Sequence, residues 1–69
     1  MTPFEFKRIR RELGLSQSQL ADLLGVHSSR TVRKWEHAET DISRPIILFM
    51  ELLDQGVLTV EKIRKAKER

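Results

Sequence analysis

Three glycines divide the chain into short segments. Gly14, Gly25 and Gly56 each follow a stretch in which apolar residues recur every three or four positions, as on one side of a helix. Glycine at this place favours the left-handed backbone that ends a helix. The glycines therefore predict several short helices and exclude one long helix.

Capping signals mark where these helices begin. Thr2, with Pro3 after it and Glu5 three residues on, has the form of a capping box, and Ser16 with Gln19 repeats it. Apolar residues also flank the expected caps as hydrophobic staples, pairing Leu15 with Leu20, Ile42 with Ile47, and Leu58 with Ile63. These signals predict helices over 3–13, 17–24, 29–37, 44–55 and 60–67, with 57–60 as an alternative short strand.

The composition agrees with a small helical protein. With 69 residues and no cysteine, the chain is expected to form one domain over 1–69, stabilised by an apolar core without disulfides. Aromatic residues make up 6%, and only two prolines occur. We expect an all-α fold, a compact bundle of four to five helices.

No apolar run approaches the roughly 20 residues of a membrane span, and no signal segment opens the chain, so a cytoplasmic location is expected.

Charge is distributed unevenly along the chain. Residues 1–35 hold seven basic against three acidic side chains, net +4, whereas 36–56 hold one against five, net −4. Residues 57–69 hold five against two, net +3. A polyanion would meet the first half, and the basic tail would contact flanking phosphates or remain in solvent. A mixed solvated surface explains the charges alone equally well.

The third predicted helix has two distinct faces. At about 100° per residue, Trp35 and Glu36 fall within about 60° of Val32, so this side packs. About 140° to 160° away from Val32 lie Arg30, Lys34 and His37. A helix with a basic outer face fits the major groove of B-DNA, where Arg and Lys donate to guanine O6 and N7.

The pattern around this helix is similar to a known family. Residues 15–26 read Leu-Ser-Gln-x-x-Leu-Ala-x-x-Leu-Gly-Val, and Thr31, Val32, Trp35 and Glu36 follow. This pattern resembles the helix-turn-helix of the Cro and phage-repressor (Xre-like) family, over about residues 4–54. The resemblance implies that Ala21 allows helices 2 and 3 to approach closely, with Gly25 in the turn. It also implies a sequence-specific regulator of transcription that binds double-stranded DNA.

The resemblance also implies which residues contact DNA. Gln17, at the start of helix 2, would contact phosphate; the alternative is that it only favours the helix at its first position. Further phosphate contacts are expected from Ser16, Thr31, His37 and Arg8. The expected base contacts are Ser28, Ser29, Arg30, Arg33 and Lys34. The turn is one residue longer than the commonest spacing, which leaves open which of the first three reaches a base.

Other residues are expected to have structural roles. The resemblance implies an ion pair between Arg10 and Glu36, and a partly buried pair would be costly to break. Trp35 shares its face with Val32 and is expected in the core. Neither histidine has the companions of a metal site, and no nucleophile stands beside an oriented base. We expect no enzyme, cofactor, metal or small-molecule ligand.

Helix 4 is apolar around nearly its whole circumference. The core of one domain covers only one stripe of a helix, so an apolar face is left over. We expect residues 44–69, helices 4 and 5, to form a homodimer that places two recognition helices one DNA turn apart on an inverted repeat. The predicted interface residues are Ile46, Phe49, Met50, Leu53, Val57, Leu58, Val60 and Ile63. Alternatively, helix 5 folds back and covers helix 4 within one chain.

Two functional hypotheses follow from the sequence. The first is a dimeric repressor or autorepressor in the cytoplasm, associated with the nucleoid through DNA. The second is a protein-interaction module, such as an antitoxin-like partner, that uses the helix-turn-helix scaffold and binds DNA weakly. The salt dependence of DNA affinity separates the two, because phosphate contacts release counterions.

Overall fold

The computed structural model describes residues 1–68 and contains five helices. They are α1 (Pro3–Glu12), α2 (Gln17–Leu24), α3 (Ser29–Glu36), α4 (Arg44–Asp54) and α5 (Val60–Lys67). Each bound lies within one residue of the sequence prediction. Over these 68 positions no strand forms, and the alternative strand at 57–60 is instead the turn and cap that lead into α5. The all-α fold is therefore confirmed.

The first two helices begin at the predicted capping boxes. Glu5 N donates to Thr2 Oγ1 at 3.0 Å, and Thr2 N donates back to Glu5 Oε1 at 3.1 Å. Ser16 and Gln19 repeat this exchange at 3.0 and 2.8 Å. The backbone N–H and hydroxyl of Thr2 lower the pKa of the Glu5 carboxyl, because both donate to its charged form.

Four helices end with a left-handed residue, and one of these residues is not glycine. Gly14, Gly25 and Gly56 have φ between 72° and 75°, whereas Ala38 takes the same role after α3 with φ 58°. Glu39 N then donates back to Lys34 O at 2.9 Å, which closes the last turn of the helix. Alanine in this conformation costs on the order of 1 kcal/mol, which glycine avoids.

The core lies between the first four helices. Phe6 of α1, Leu20 of α2, Val32 of α3 and Met50 of α4 are its fully buried side chains. Trp35 packs edge-on against Phe6, with 5.7 Å between ring centroids. Trp35 is therefore a core residue, as predicted, and joins α3 to α1.

The last helix packs on α2. Lys67 Nζ donates to the backbone carbonyls of Asp22 and Leu23, two of the residues that end α2. A positive charge at this place also complements the negative end of the helix dipole. Ile63 and Leu58 are half-buried against the core. The chain thus folds back at its end, toward α2, and Lys67 is engaged in an intramolecular contact.

No helix within residues 1–68 is both long enough and apolar enough to cross a membrane.

Candidate nucleic-acid interface

Helices α2 and α3 form a tight pair joined by a short turn. The two helices are in contact, and Ala21 of α2 is buried, as expected if its small side chain allows their close approach. Gly25 ends α2 in the left-handed conformation, and Val26 N donates back to Ala21 O at 3.1 Å. Val32 is fully buried beneath α3. Both helices of the pair are thus positioned by residues that the sequence pattern singled out.

A charged cluster holds the C-terminal turn of α3 against α1 and α2. Arg10 Nε lies 2.6 Å from Glu36 Oε2, and Arg10 Nη2 donates to Glu36 Oε1 at 3.2 Å. Arg10 Nη1 also donates to Leu15 O at 2.8 Å, and Gln17 Nε2 donates to Glu36 Oε1 at 3.1 Å. The two charged side chains are 11% and 2% exposed. Because each charge has several partners, the cluster fixes the orientation of α3.

The outer face of α3 presents cations to solvent. Arg30, Arg33, Lys34 and His37 are all exposed. Within residues 1–68, no carboxylate lies within ion-pair distance of any of them. An uncompensated row of basic side chains on a rigid helix is suited to bind a polyanion.

The predicted DNA-contact residues with short side chains lie at the start of the same helix. Ser29 and Thr31 are half-buried, and Ser28 precedes α3 without capping it through its side chain. The Ser28 hydroxyl is thus not used to hold the helix. Whether these side chains reach DNA bases or phosphates stays a prediction.

The start of α2 has donors left after its internal bonds. The Ser16 hydroxyl accepts from Gln19 N and retains its own proton, and the Gln17 amide gives one N–H to Glu36 and retains a second. Both side chains could therefore still donate to a phosphate. The sequence did not predict the contact of Gln17 with Glu36, because no local pattern reports a partner 19 residues away.

Arg8, which was predicted as a phosphate contact, has two carboxylate partners in the structure. Its guanidinium lies between two carboxylates, 3.0 Å from Glu12 Oε1 and 3.4 Å from Asp54 Oδ2. These acids raise the pKa of Arg8, with the Glu12 hydrogen bond as the largest cause. Through Asp54, Arg8 joins α1 to α4. Its contact with phosphate stays a prediction.

The structure corrects three of the residues that were predicted for the dimer interface. Ile46, Met50 and Leu53 form the inner stripe of α4, at spacings of four and three, and are buried in the core of one chain. They have no surface to offer a partner. Phe49 and Val57 are exposed, and Leu58, Val60 and Ile63 are half-buried. The outer stripe of α4 consists of Pro45, Leu48, Phe49 and Leu52, and of these the sequence prediction included only Phe49.

Comparison with known proteins agrees with this geometry. A family model described as helix-turn-helix matches residues 6–51, from α1 into α4. The chain therefore belongs to the helix-turn-helix family of the Cro/C1 (Xre-like) type, and carries a DNA-binding domain. This is a family of DNA-binding regulatory domains. No curated protein matches the chain.

Proposed function

We propose that the protein is a sequence-specific regulator of transcription that acts as a dimeric repressor, or autorepressor, on an inverted-repeat operator. Helix α3 would enter the major groove of each half-site. Arg30, Arg33 and Lys34 would donate to base edges, with Ser28 or Ser29 beside them. Ser16, Gln17, Thr31 and His37 would donate to the flanking phosphates.

One observation carries this proposal, the exposed cationic face of α3. Its basic side chains have no carboxylate partners among residues 1–68, although the chain pairs other arginines internally. The opposite side of α3 is held by Val32, Trp35 and the Arg10–Glu36 ion pair. A charged face on so firmly placed a helix favours binding in a defined orientation, which sequence-specific contacts require.

The outer stripe of α4 supports the dimer. Leu48 is 57% exposed and Phe49 is 42% exposed, and the stripe has the helical spacing of one continuous face. Val57, in the turn after α4, is exposed as well. Covering this face with its copy in a second chain would remove apolar area from water around a twofold axis.

The same stripe supports a second candidate function. If a different protein covers Leu48 and Phe49, the chain is an interaction module with weak DNA binding. The basic face of α3 then has no specific duplex to recognise. The two functions differ in what they predict for DNA selection and for salt.

Selection from a randomised duplex pool at about 150 mM salt tests the proposal, because specific binding survives there and most non-specific binding does not. We expect an inverted repeat with half-sites about 10 base pairs apart. An Arg33→Glu variant should lose the enrichment, whereas the matched Arg64→Glu variant, at an exposed arginine on α5, should keep it. Absence of any enriched sequence would favour the interaction module.

Salt dependence provides an independent measurement. If about 6 to 10 phosphates are contacted, affinity should fall by about 10³ to 10⁵ between 50 and 200 mM salt. A nearly flat dependence would contradict the proposed DNA contacts.

A further inference from the structure

We propose that the outer face of α1, consisting of Phe4, Lys7 and Arg11, is a docking surface for an acidic protein segment that carries an apolar side chain. This surface is separate from the DNA-binding face. It would allow the protein to contact DNA and a second protein at the same time.

The apolar part of this surface is Phe4. Its side chain is 77% exposed, whereas Phe6, on the same helix, is fully buried. Phe4 lies at the edge of a shallow depression of about 380 Å³, whose lining is Phe4, Lys7, Arg8, Arg11 and Glu12. An exposed aromatic side chain beside a depression is typical of the central contact in a protein interface.

The charges around Phe4 indicate the partner. Lys7 and Arg11 are exposed and lie three and seven positions after Phe4, on one side of α1. Within the described part of the chain, neither has a carboxylate at ion-pair distance, while Arg8 beside them is paired with Glu12 and Asp54. The free charge at this surface is therefore positive and borders an apolar side chain, which complements an acidic segment with an apolar residue.

The surface lies away from the DNA-binding face. Phe6 packs against Trp35 of α3, so this side of α1 faces α3. Phe4, Lys7 and Arg11 lie about 100° to 160° around α1 from Phe6, on the outer side. The basic residues of α3 are likewise on the side of that helix away from its packed core. A duplex on α3 would therefore leave the outer face of α1 open.

Other occupants fit less well. Two copies meeting through this face would bring Lys7 and Arg11 against the same cations of the partner, and like charges repel. A DNA backbone would pair with the cations but would leave Phe4 without an apolar contact. A membrane surface would need a wider apolar stripe than one exposed phenylalanine on this helix.

The test uses the full chain, labelled with ¹⁵N, and an acidic probe peptide. The probe is an amphipathic peptide of about 14 residues with Leu at helical spacing and Glu on both sides, and the control peptide has Lys in place of Glu. We expect chemical-shift changes on the outer face of α1 with the acidic peptide only. Phe4→Ala and Lys7→Glu should each weaken its affinity at least about tenfold.

The matched control is Arg33→Glu, which reverses the same charge on α3. It should leave the affinity for the acidic peptide unchanged within about twofold. Because Phe4 and Lys7 are exposed, the variants should keep the wild-type melting temperature, which circular dichroism would verify.

Several results would overturn the proposal. These are shift changes centred on α3, equal binding of both peptides, or no binding of the acidic peptide at about 1 mM. Loss of self-association in Phe4→Ala would assign the face to a second copy of the chain. Binding to anionic phospholipid vesicles, lost in Phe4→Ala, without binding of the peptide would assign it to a membrane. Each outcome is independent of whether α3 binds an operator.

Discussion

Arg10 and Glu36 are joined by two hydrogen bonds across 26 positions of sequence, and both side chains are almost removed from solvent. The pair connects α1, which contributes to the core, with the last turn of α3, which presents cations. It therefore links the stability of the fold to the orientation of the DNA-binding face.

Glu36→Ala should lower the free energy of unfolding by about 3 to 5 kcal/mol, because it leaves the Arg10 guanidinium buried without its carboxylate. Urea denaturation would measure the loss. The double variant Arg10→Met/Glu36→Leu should recover most of it, because apolar side chains need no partner. Equal stability of Glu36→Ala and the wild type would contradict a structural role for the pair.

Ala38→Gly should raise the free energy of unfolding by about 1 kcal/mol, because Ala38 has the left-handed backbone that glycine adopts without strain. Thermal and urea unfolding would both detect it. The opposite substitution, from glycine to alanine, serves as control at Gly25. An added Cβ at Gly25 meets no atom within 4 Å, so Gly25→Ala should be destabilising through the backbone alone. A loss of stability in Ala38→Gly would refute this reasoning.

Arg30→Ala should cost about 1 to 3 kcal/mol in operator binding and relax the preference at one base position of each half-site, if Arg30 contacts a base. Repeating the duplex selection with this variant would show the relaxed position. Lys62→Ala, on α5, provides a control for the loss of one positive charge. An equal loss on every sequence would make Arg30 a phosphate contact.

Leu48→Glu should shift a dimer to monomer and weaken operator binding together, because it places charge in the outer stripe of α4. Analytical ultracentrifugation would measure the mass. Leu53→Glu should instead unfold the chain, since Leu53 is buried in the core. Ser18→Glu, an exposed change on α2, should leave the mass as it is. An unchanged mass in a folded Leu48→Glu would reject this interface.

Much of the fold could be predicted because its signals are local. The capping boxes at Thr2 and Ser16 and the left-handed glycines each act over a few residues, and all are present. The end of α3 before residue 38 was predicted, but the left-handed backbone of Ala38 was not, because alanine carries no such signal. The cationic face of α3 followed from helical periodicity alone.

Contacts between distant segments were harder to predict. Helix α4 has two apolar stripes, and the sequence does not say which of them faces the core, so Met50 was placed at an interface although it is fully buried. The ion pair between Arg8 and Asp54 was not predicted, because the two residues are 46 positions apart in the sequence. The contact of Lys67 with the backbone carbonyls of α2 was not predicted either, because no side-chain pattern indicates a backbone acceptor.

The contact of Lys67 with carbonyls in the last turn of α2 joins α5 to the helix-turn-helix, so we expect these two segments to open together. Amide hydrogen exchange should accordingly change in the same direction in α5 and in the final turn of α2, whichever of the two is stabilised or destabilised. Acetylation of this lysine would remove its charge and weaken the contact. A chemical change near the end of the chain would then reach the turn that positions α3.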